Sequence, residues 1–210
     1  MDLIIHSHAL PNCYEFDDSV FDTPGAFYDL GCLRWEWAEP FLGRKPVIGV
    51  DPHEQACLVG AELVRAAISP YGGKVTMRGV GLQALCGDSV TPYNNKCGYA
   101  PGRCENEQTG PYAVPAITWA ELTAAHGPAA LVKINIEGAE IPLLFTARQP
   151  MAPQLVIAFH EPGHEYSQPG WPQVEAIRAC IRYLGQWYTM RRTELYHSEP
   201  DRWYHFMVKQ

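Results

Sequence analysis

Four short apolar runs, each closing on polar residues or a glycine, set the strongest limit on what this chain can fold into. They are Ala26-Phe27-Tyr28-Asp29-Leu30-Gly31, Pro46-Val47-Ile48-Gly49-Val50-Asp51, Leu131-Val132-Lys133-Ile134-Asn135-Ile136 and Leu155-Val156-Ile157-Ala158-Phe159-His160. Nearly continuous apolar runs of this length fit strands buried on both faces, as in a parallel sheet covered by other layers. Parallel neighbours need long crossovers, which fits an alternation of strands and helices. The expectation is therefore an α/β fold.

The segments between the runs fill in this outline. Residues 1–25 read as an irregular lead-in, broken by Pro11, Asn12, Asp17, Asp18 and Pro24-Gly25. Residues 35–42 can be helical with Pro40 near an end or a kink. Leu58, Ala61, Val64 and Ile68 stand near helical spacing, which predicts an amphipathic helix over about 54–68, stopped by Pro70-Tyr71-Gly72-Gly73. Residues 74–82 read as a third strand region, and 118–126 as a short helix capped by Thr118. Val174, Ile177, Ile181 and Leu184 mark a further helix. Residues 187–193 and 203–208 read as an antiparallel pair at one edge. The stretch 86–116 lacks periodicity and is rich in Gly, Pro, Asn and Cys, the kind of long irregular insertion that often serves function.

Composition narrows the function classes. A length of 210 residues at 47% hydrophobic suits a single domain spanning 1–210. The net charge of −7 argues against a uniform nucleic-acid-binding coat, which needs a cationic surface. No apolar run approaches the roughly 20 residues that span a bilayer, so no membrane partner is expected. Asp2 stands where a signal peptide wants a base, and the seven cysteines are odd in number and scattered, so a cytoplasmic location is expected. Cys86, Cys97 and Cys104 lack the close pairing of zinc modules. His160-Glu161-Pro162-Gly163-His164 matches the letters of a zinc-protease motif, but Pro162 and Gly163 break the helix that motif requires.

Ligands of open α/β sheets bind beyond the carboxyl ends of the strands, where strand order switches. Here those ends carry Asp29-Leu30-Gly31, Asp51, Asn135 to Glu137, and His160-Glu161. A glycine after the first strand permits a tight turn, and an acid after the second can accept ribose hydroxyls. No second or third glycine follows Gly31, so the pattern is poor for a pyrophosphate and better suited to a cofactor without phosphates.

Taken in order, Tyr28-Asp29-Leu30-Gly31, Val47-Ile48-Gly49-Val50-Asp51-Pro52, Ala84-Leu85-Cys86-Gly87-Asp88, Thr118-Trp119-Ala120-Glu121-Leu122 and Val132-Lys133-Ile134-Asn135-Ile136-Glu137-Gly138-Ala139-Glu140 resemble the FkbM-type S-adenosylmethionine-dependent methyltransferases. The resemblance runs from about residue 26 to 161, and the lysine-to-glutamate segment is its most specific part. It implies a Rossmann-like class I methyltransferase fold: a mostly parallel seven-stranded sheet of order 3-2-1-4-5-7-6 with helices on both faces. It implies methyl transfer, most often to a hydroxyl of a sugar-like or other small-molecule acceptor. Asp29 and Gly31 would border the methionine part of S-adenosylmethionine, Asp51 the ribose with His53 nearby, and Gln83, Ala84 and Leu85 the adenine. Asn135 completes the cofactor-binding set.

The chemistry suggests further roles. A hydroxyl acceptor must lose its proton, which a histidine or carboxylate can take. His160 is the first candidate base and Glu137 the second, with Lys133 as a third catalytic candidate. Glu137, His160 and Glu161 could together hold Mg or Mn, which would lower the hydroxyl pKa. Lys133 has plainer readings, as a solvated strand end or a partner of Glu137 or Glu140. Tyr93, Tyr99 and Tyr112 could stack on an acceptor ring, with the 86–116 insertion as a lid. Two departures from the family stand out. Cys32-Leu33-Arg34-Trp35 replaces an Ala-Asn-x-Gly stretch, and Asn135 replaces an aspartate. They motivate an alternative, a fold that binds the cofactor without catalysis. A ribose methyltransferase acting on nucleic acid is the other alternative, disfavoured by the charge.

Overall fold

The computed structural model describes residues 4–7, 13–32, 35, 37–52, 58–78, 111–136, 139–160, 174–192 and 201–209. In chain order its strands and helices are β1 (Ile4–Ser7), β2 (Cys13–Phe16), β3 (Ala26–Leu30), β4 (Val47–Val50), β5 (Ala61–Val64), β6 (Ala67–Ile68), β7 (Gly73–Arg78), β8 (Pro111–Ile117), α1 (Trp119–His126), β9 (Ala129–Ile134), α2 (Glu140–Thr146), β10 (Gln154–His160), α3 (Val174–Leu184), β11 (Tyr188–Arg192) and β12 (Asp201–Val208). Short 3-10 turns stand at Asp18–Phe21 and Glu39–Phe41.

The large sheet runs β11-β12-β10-β9-β3-β4-β5. From β5 to β10 the neighbours are parallel, and β12 reverses to pair antiparallel with both β10 and β11. This is an α/β fold with a mostly parallel central sheet. β3, β4 and β9 are buried at every position, which explains their lack of hydrophobic alternation. The strand numbers depart from a seven-strand scheme because β1–β2 and β6-β8-β7 form two further sheets among the described residues.

Each face of the large sheet has its own core. On one, Tyr28, Leu30, Ile48, Val132, Ile134, Leu155 and Ile157 pack under Leu122 of α1, Leu143 and Leu144 of α2, and Ile177 and Leu184 of α3. On the other, Phe27, Val47, Leu131 and Val156 pack under Phe16, Trp35, Trp37 and Phe41. Among the described residues, α-helical cover is seen on the first face. The described α-helices bury their residues on the first face, and irregular aromatic segments close the second. Phe41 stacks on Phe27 at 4.1 Å and meets Phe16 at 4.9 Å. Pro40, Gly43 and Pro46 interrupt that segment, so rings rather than helix turns fill the layer.

Gln154 at the start of β10 ties the lead-in to the sheet. Its Oε1 accepts from Asp17 N at 3.0 Å, its Nε2 donates to Asp17 O at 2.9 Å, and His205 Nε2 lies 3.1 Å from Oε1. All three residues are buried, so the segment entering the first turn is anchored rather than loose.

Other expectations are corrected locally. The helix over 54–68 is replaced in its second half by β5 and β6. Gly60 takes φ +87°, which breaks a helix, and Val64 and Ile68 are β-branched residues that suit strands. The third strand region begins as β7, but in the three-stranded sheet, while β5 takes the place beside β4. The irregular stretches 1–25 and 86–116 contain β1–β2 and most of β8. α2 was not anticipated. Its Pro142 sits in the first turn, where a missing N–H costs nothing. The 118–126 helix stands as expected. Thr118 Oγ1 accepts from Glu121 N at 3.2 Å, and Glu121 Oε2 accepts from Thr118 N at 2.9 Å, a reciprocal capping box. The bonds that Thr118 N and Thr118 Oγ1 donate to Oε2 hold the Glu121 carboxyl below its ordinary value.

The helical-face core is sensitive to alkali. Burial pushes Tyr28, Tyr188 and Cys180 each up to about 12, helped at Tyr28 by Glu62 and at Cys180 by Glu140. Their neutral forms are favoured in the folded state, so their stabilisation is complete below the ordinary thiol and phenol values and is lost as pH rises through about 12. The urea midpoint should therefore fall steadily above about pH 9. Tyr28→Phe with Tyr188→Phe should flatten the part of that fall above about pH 10.

Candidate functional site

The chain leaves β3 for β4 and β5 on one side, then returns to β9 and β10 on the other. The strand order therefore switches between β3 and β9, and a crevice at the carboxyl ends of these two strands is where such sheets bind ligands. The residues there are Asp29 on β3 and Gly31 after it, Lys133 on β9 and Asn135 after it, Asp51 after β4, and the backbone of His160 at the end of β10. The structure brings these six predicted positions to one edge of the sheet.

Asp29 and Lys133 are register partners in neighbouring strands, so their side chains leave the sheet on the same face. Lys133 Nζ lies 2.7 Å from Asp29 Oδ1, with the two side chains 5% and 1% exposed. The same ammonium donates to Gly31 O at 2.7 Å. This corrects the reading of Lys133 as a solvated strand end. A buried aspartate one strand away supplies the compensation that a buried ammonium requires. Lys133 therefore lies inside the site, its Nζ beside Asp29 Oδ1 and Gly31 O.

Gly31 closes the turn. It takes φ +81°, donates to Val50 O at 2.8 Å, and an added Cβ would stand 1.8 Å from Asn135 O. Only glycine allows that approach of two backbones. Asn135 N donates to Leu30 O at 3.0 Å, which carries the β3–β9 ladder one step into the site. Glu140, fully buried, accepts from Ile136 N at 2.9 Å through Oε1 and so folds the connection back toward α2.

Two further residues shape the second face. Gly49 is the register partner of Asp29, and an added Cβ there would meet the Trp35 ring at 2.3 Å and Cys32 Sγ at 2.6 Å. Trp35 is 8% exposed and adopts φ +56°, unusual for a bulky residue. Its indole lies against strand β4, so Trp35 and the buried Trp37 belong to the core. A glycine in the middle of an apolar run was the available signal that something large packs on that strand.

The acceptors at the crevice are not all satisfied. Both carboxylate oxygens of Asp29 and Asn135 Oδ1 are buried and have no hydrogen-bond partner among the described residues, although Oδ1 of Asp29 is ion-paired with Lys133. Buried acceptors without donors are rare and costly, about 1–3 kcal/mol each. The α-ammonium of S-adenosylmethionine brings three N–H donors, so the strand ends here fit the amino-acid part of that cofactor. Asp51, just past the end of β4, is 4% exposed.

His53, Gln83, Ala84, Leu85, Glu137 and Glu161 lie outside the described residues, as do Tyr93 and Tyr99 and most of the 86–116 insertion. The candidate metal set of Glu137, His160 and Glu161 falls there too, apart from the His160 backbone. Among the described residues no three His, Cys, Asp or Glu side chains form a group able to hold a metal ion. No helix among them is long and apolar enough to cross a membrane. Cys32 and Cys180 are buried. No protein-family model matches the chain, and neither a curated protein nor a solved structure matches it.

Proposed function

We propose that this chain is an S-adenosylmethionine-dependent methyltransferase that methylates a hydroxyl of a sugar-like or other small molecule. The observation that carries the reading is the cluster of Asp29, Gly31, Lys133 and Asn135 at the strand-order switch, with unsatisfied acceptors on both of its strands. The topology adds support. With the two small sheets set aside, the seven strands of the large sheet, counted along the chain, follow the order 3-2-1-4-5-7-6, with the seventh reversed. That is the order which the resemblance to the FkbM-type family implies for a class I methyltransferase.

In this reading the bound cofactor supplies an electrophilic methyl on a sulfonium, and the protein's task is to hold the acceptor oxygen in line with it. Gly31 lets the backbone approach the amino-acid end. Asp29 and Asn135 offer acceptors to its ammonium, and Asp51 accepts from the ribose. His160, at the end of β10, is the candidate base for the acceptor proton, with Glu137 as second. A divalent ion held by Glu137, His160 and Glu161 is an alternative means of lowering the hydroxyl pKa.

Titration calorimetry with S-adenosylmethionine and S-adenosylhomocysteine tests the reading. Both should bind, and Asp51→Ala should weaken both by about tenfold or more, the loss expected when hydroxyl donors face no acceptor. Absence of binding to the wild-type protein overturns it. A second reading, binding without catalysis, draws on Asn135, whose amide cannot serve as a base. Methyl transfer to any small hydroxyl acceptor, lost in His160→Ala, excludes that second reading.

A further inference from the structure

We infer that Lys133 is a positioning residue that makes the site selective for nucleosides carrying an amino-acid end. The inference rests on the methyltransferase reading and assigns the lysine a part in it. A carboxylate between two strands has two oxygens, and the direction in which it presents them must be fixed. Lys133 Nζ stands 2.7 Å from Asp29 Oδ1 as an ion pair, which orients the carboxylate, while neither of its oxygens has a hydrogen-bond partner among the described residues. The same ammonium holds Gly31 O at 2.7 Å, which sets the peptide plane of the turn. The ammonium thus makes one hydrogen bond, to Gly31 O, and one ion pair, to Asp29, whose oxygens both lack a hydrogen-bond donor among the described residues.

That combination complements a zwitterion. An α-amino acid presents an ammonium and a carboxylate on one carbon, and a buried pair of net charge zero accepts it without leaving an uncompensated charge. A simple amine would leave its positive charge unmatched, because Lys133 already neutralises Asp29. The burial of both side chains strengthens each contact, since little water competes for it. Lys133 thus acts largely through Asp29 and Gly31. Its nearest neighbours are the residues that the proposed cofactor touches, not the methyl-transfer centre.

The test uses two ligands that share an adenosine but differ in the amino-acid end. S-adenosylhomocysteine has it, and 5′-methylthioadenosine lacks it. Calorimetry should show Lys133→Met binding the first ligand about tenfold or more weakly, as for a lost charge-assisted hydrogen bond, with binding of the second within about twofold of wild type. Asp29→Asn should show the same selective loss, and it keeps the size of the side chain if Lys133→Met does not fold. Lys133→Arg, which retains the charge, should recover much of the affinity for the first ligand. Equal weakening of both ligands in the folded variants, or no weakening of the first, overturns the inference. Failure of both ligands to bind the wild-type protein is a different result and overturns the methyltransferase reading with it.

Discussion

Lys133→Met is expected to cost about 3–5 kcal/mol of folding stability, the usual loss when one member of a buried ion pair is removed. The single change leaves Asp29, 1% exposed, without its counter-charge, and frees the Gly31 carbonyl that the ammonium held. For a domain whose whole stability is about 5–15 kcal/mol, that is a large fraction. Adding Asp29→Leu to Lys133→Met should return most of the loss, because the double variant buries no unpaired charge. Urea denaturation of the wild type, both single variants and the double variant gives the coupling directly. A Lys133→Met protein within about 1 kcal/mol of wild type would mean that the pair is wet and worth no more than a surface salt bridge.

The pair also shows what a sequence conceals. A lysine inside Leu131-Val132-Lys133-Ile134 marks a departure from a fully apolar strand, but nothing near it in the chain says where its counter-charge lies. Asp29 stands in an equally apolar run about a hundred residues earlier, and only the pairing of β3 with β9 brings the two together. The strands themselves were legible because burial on both faces leaves few polar positions. The helix expected at 54–68 is replaced in its second half: Leu58, Ala61, Val64 and Ile68 satisfy a helical period, although the last three stand in two short strands. Periodicity over so few turns does not separate the two, and the left-handed Gly60 decides it. α2 escaped notice because Pro142 looks like a breaker until its place in the first turn is known. The crevice could be located from strand ends alone. Its unsatisfied acceptors could not, because satisfaction depends on partners from other strands.

Gly31→Ala should be the most damaging small substitution in the site, and Gly43→Ala supplies its control. Both glycines have positive φ, at +81° and +72°, so both variants carry the conformational cost of a side chain in left-handed backbone, about 1–2 kcal/mol. They differ in what the new methyl meets. At Gly43 nothing lies within 4 Å, whereas at Gly31 the Cβ falls 1.8 Å from Asn135 O and 2.9 Å from its carbonyl carbon. Those atoms are backbone and cannot rotate away. They can retreat only if the end of β9 separates from β3, which breaks the 3.0 Å bond from Asn135 N to Leu30 O and draws Gly31 O from Lys133. Gly31→Ala is therefore expected to lose at least about 2–3 kcal/mol more than Gly43→Ala in urea melts, the combined cost of overpacking and a broken buried hydrogen bond. Equal losses in the two variants would mean that the strand ends give way easily. In that case the close contact of β3 and β9 would not be what fixes the geometry of the crevice.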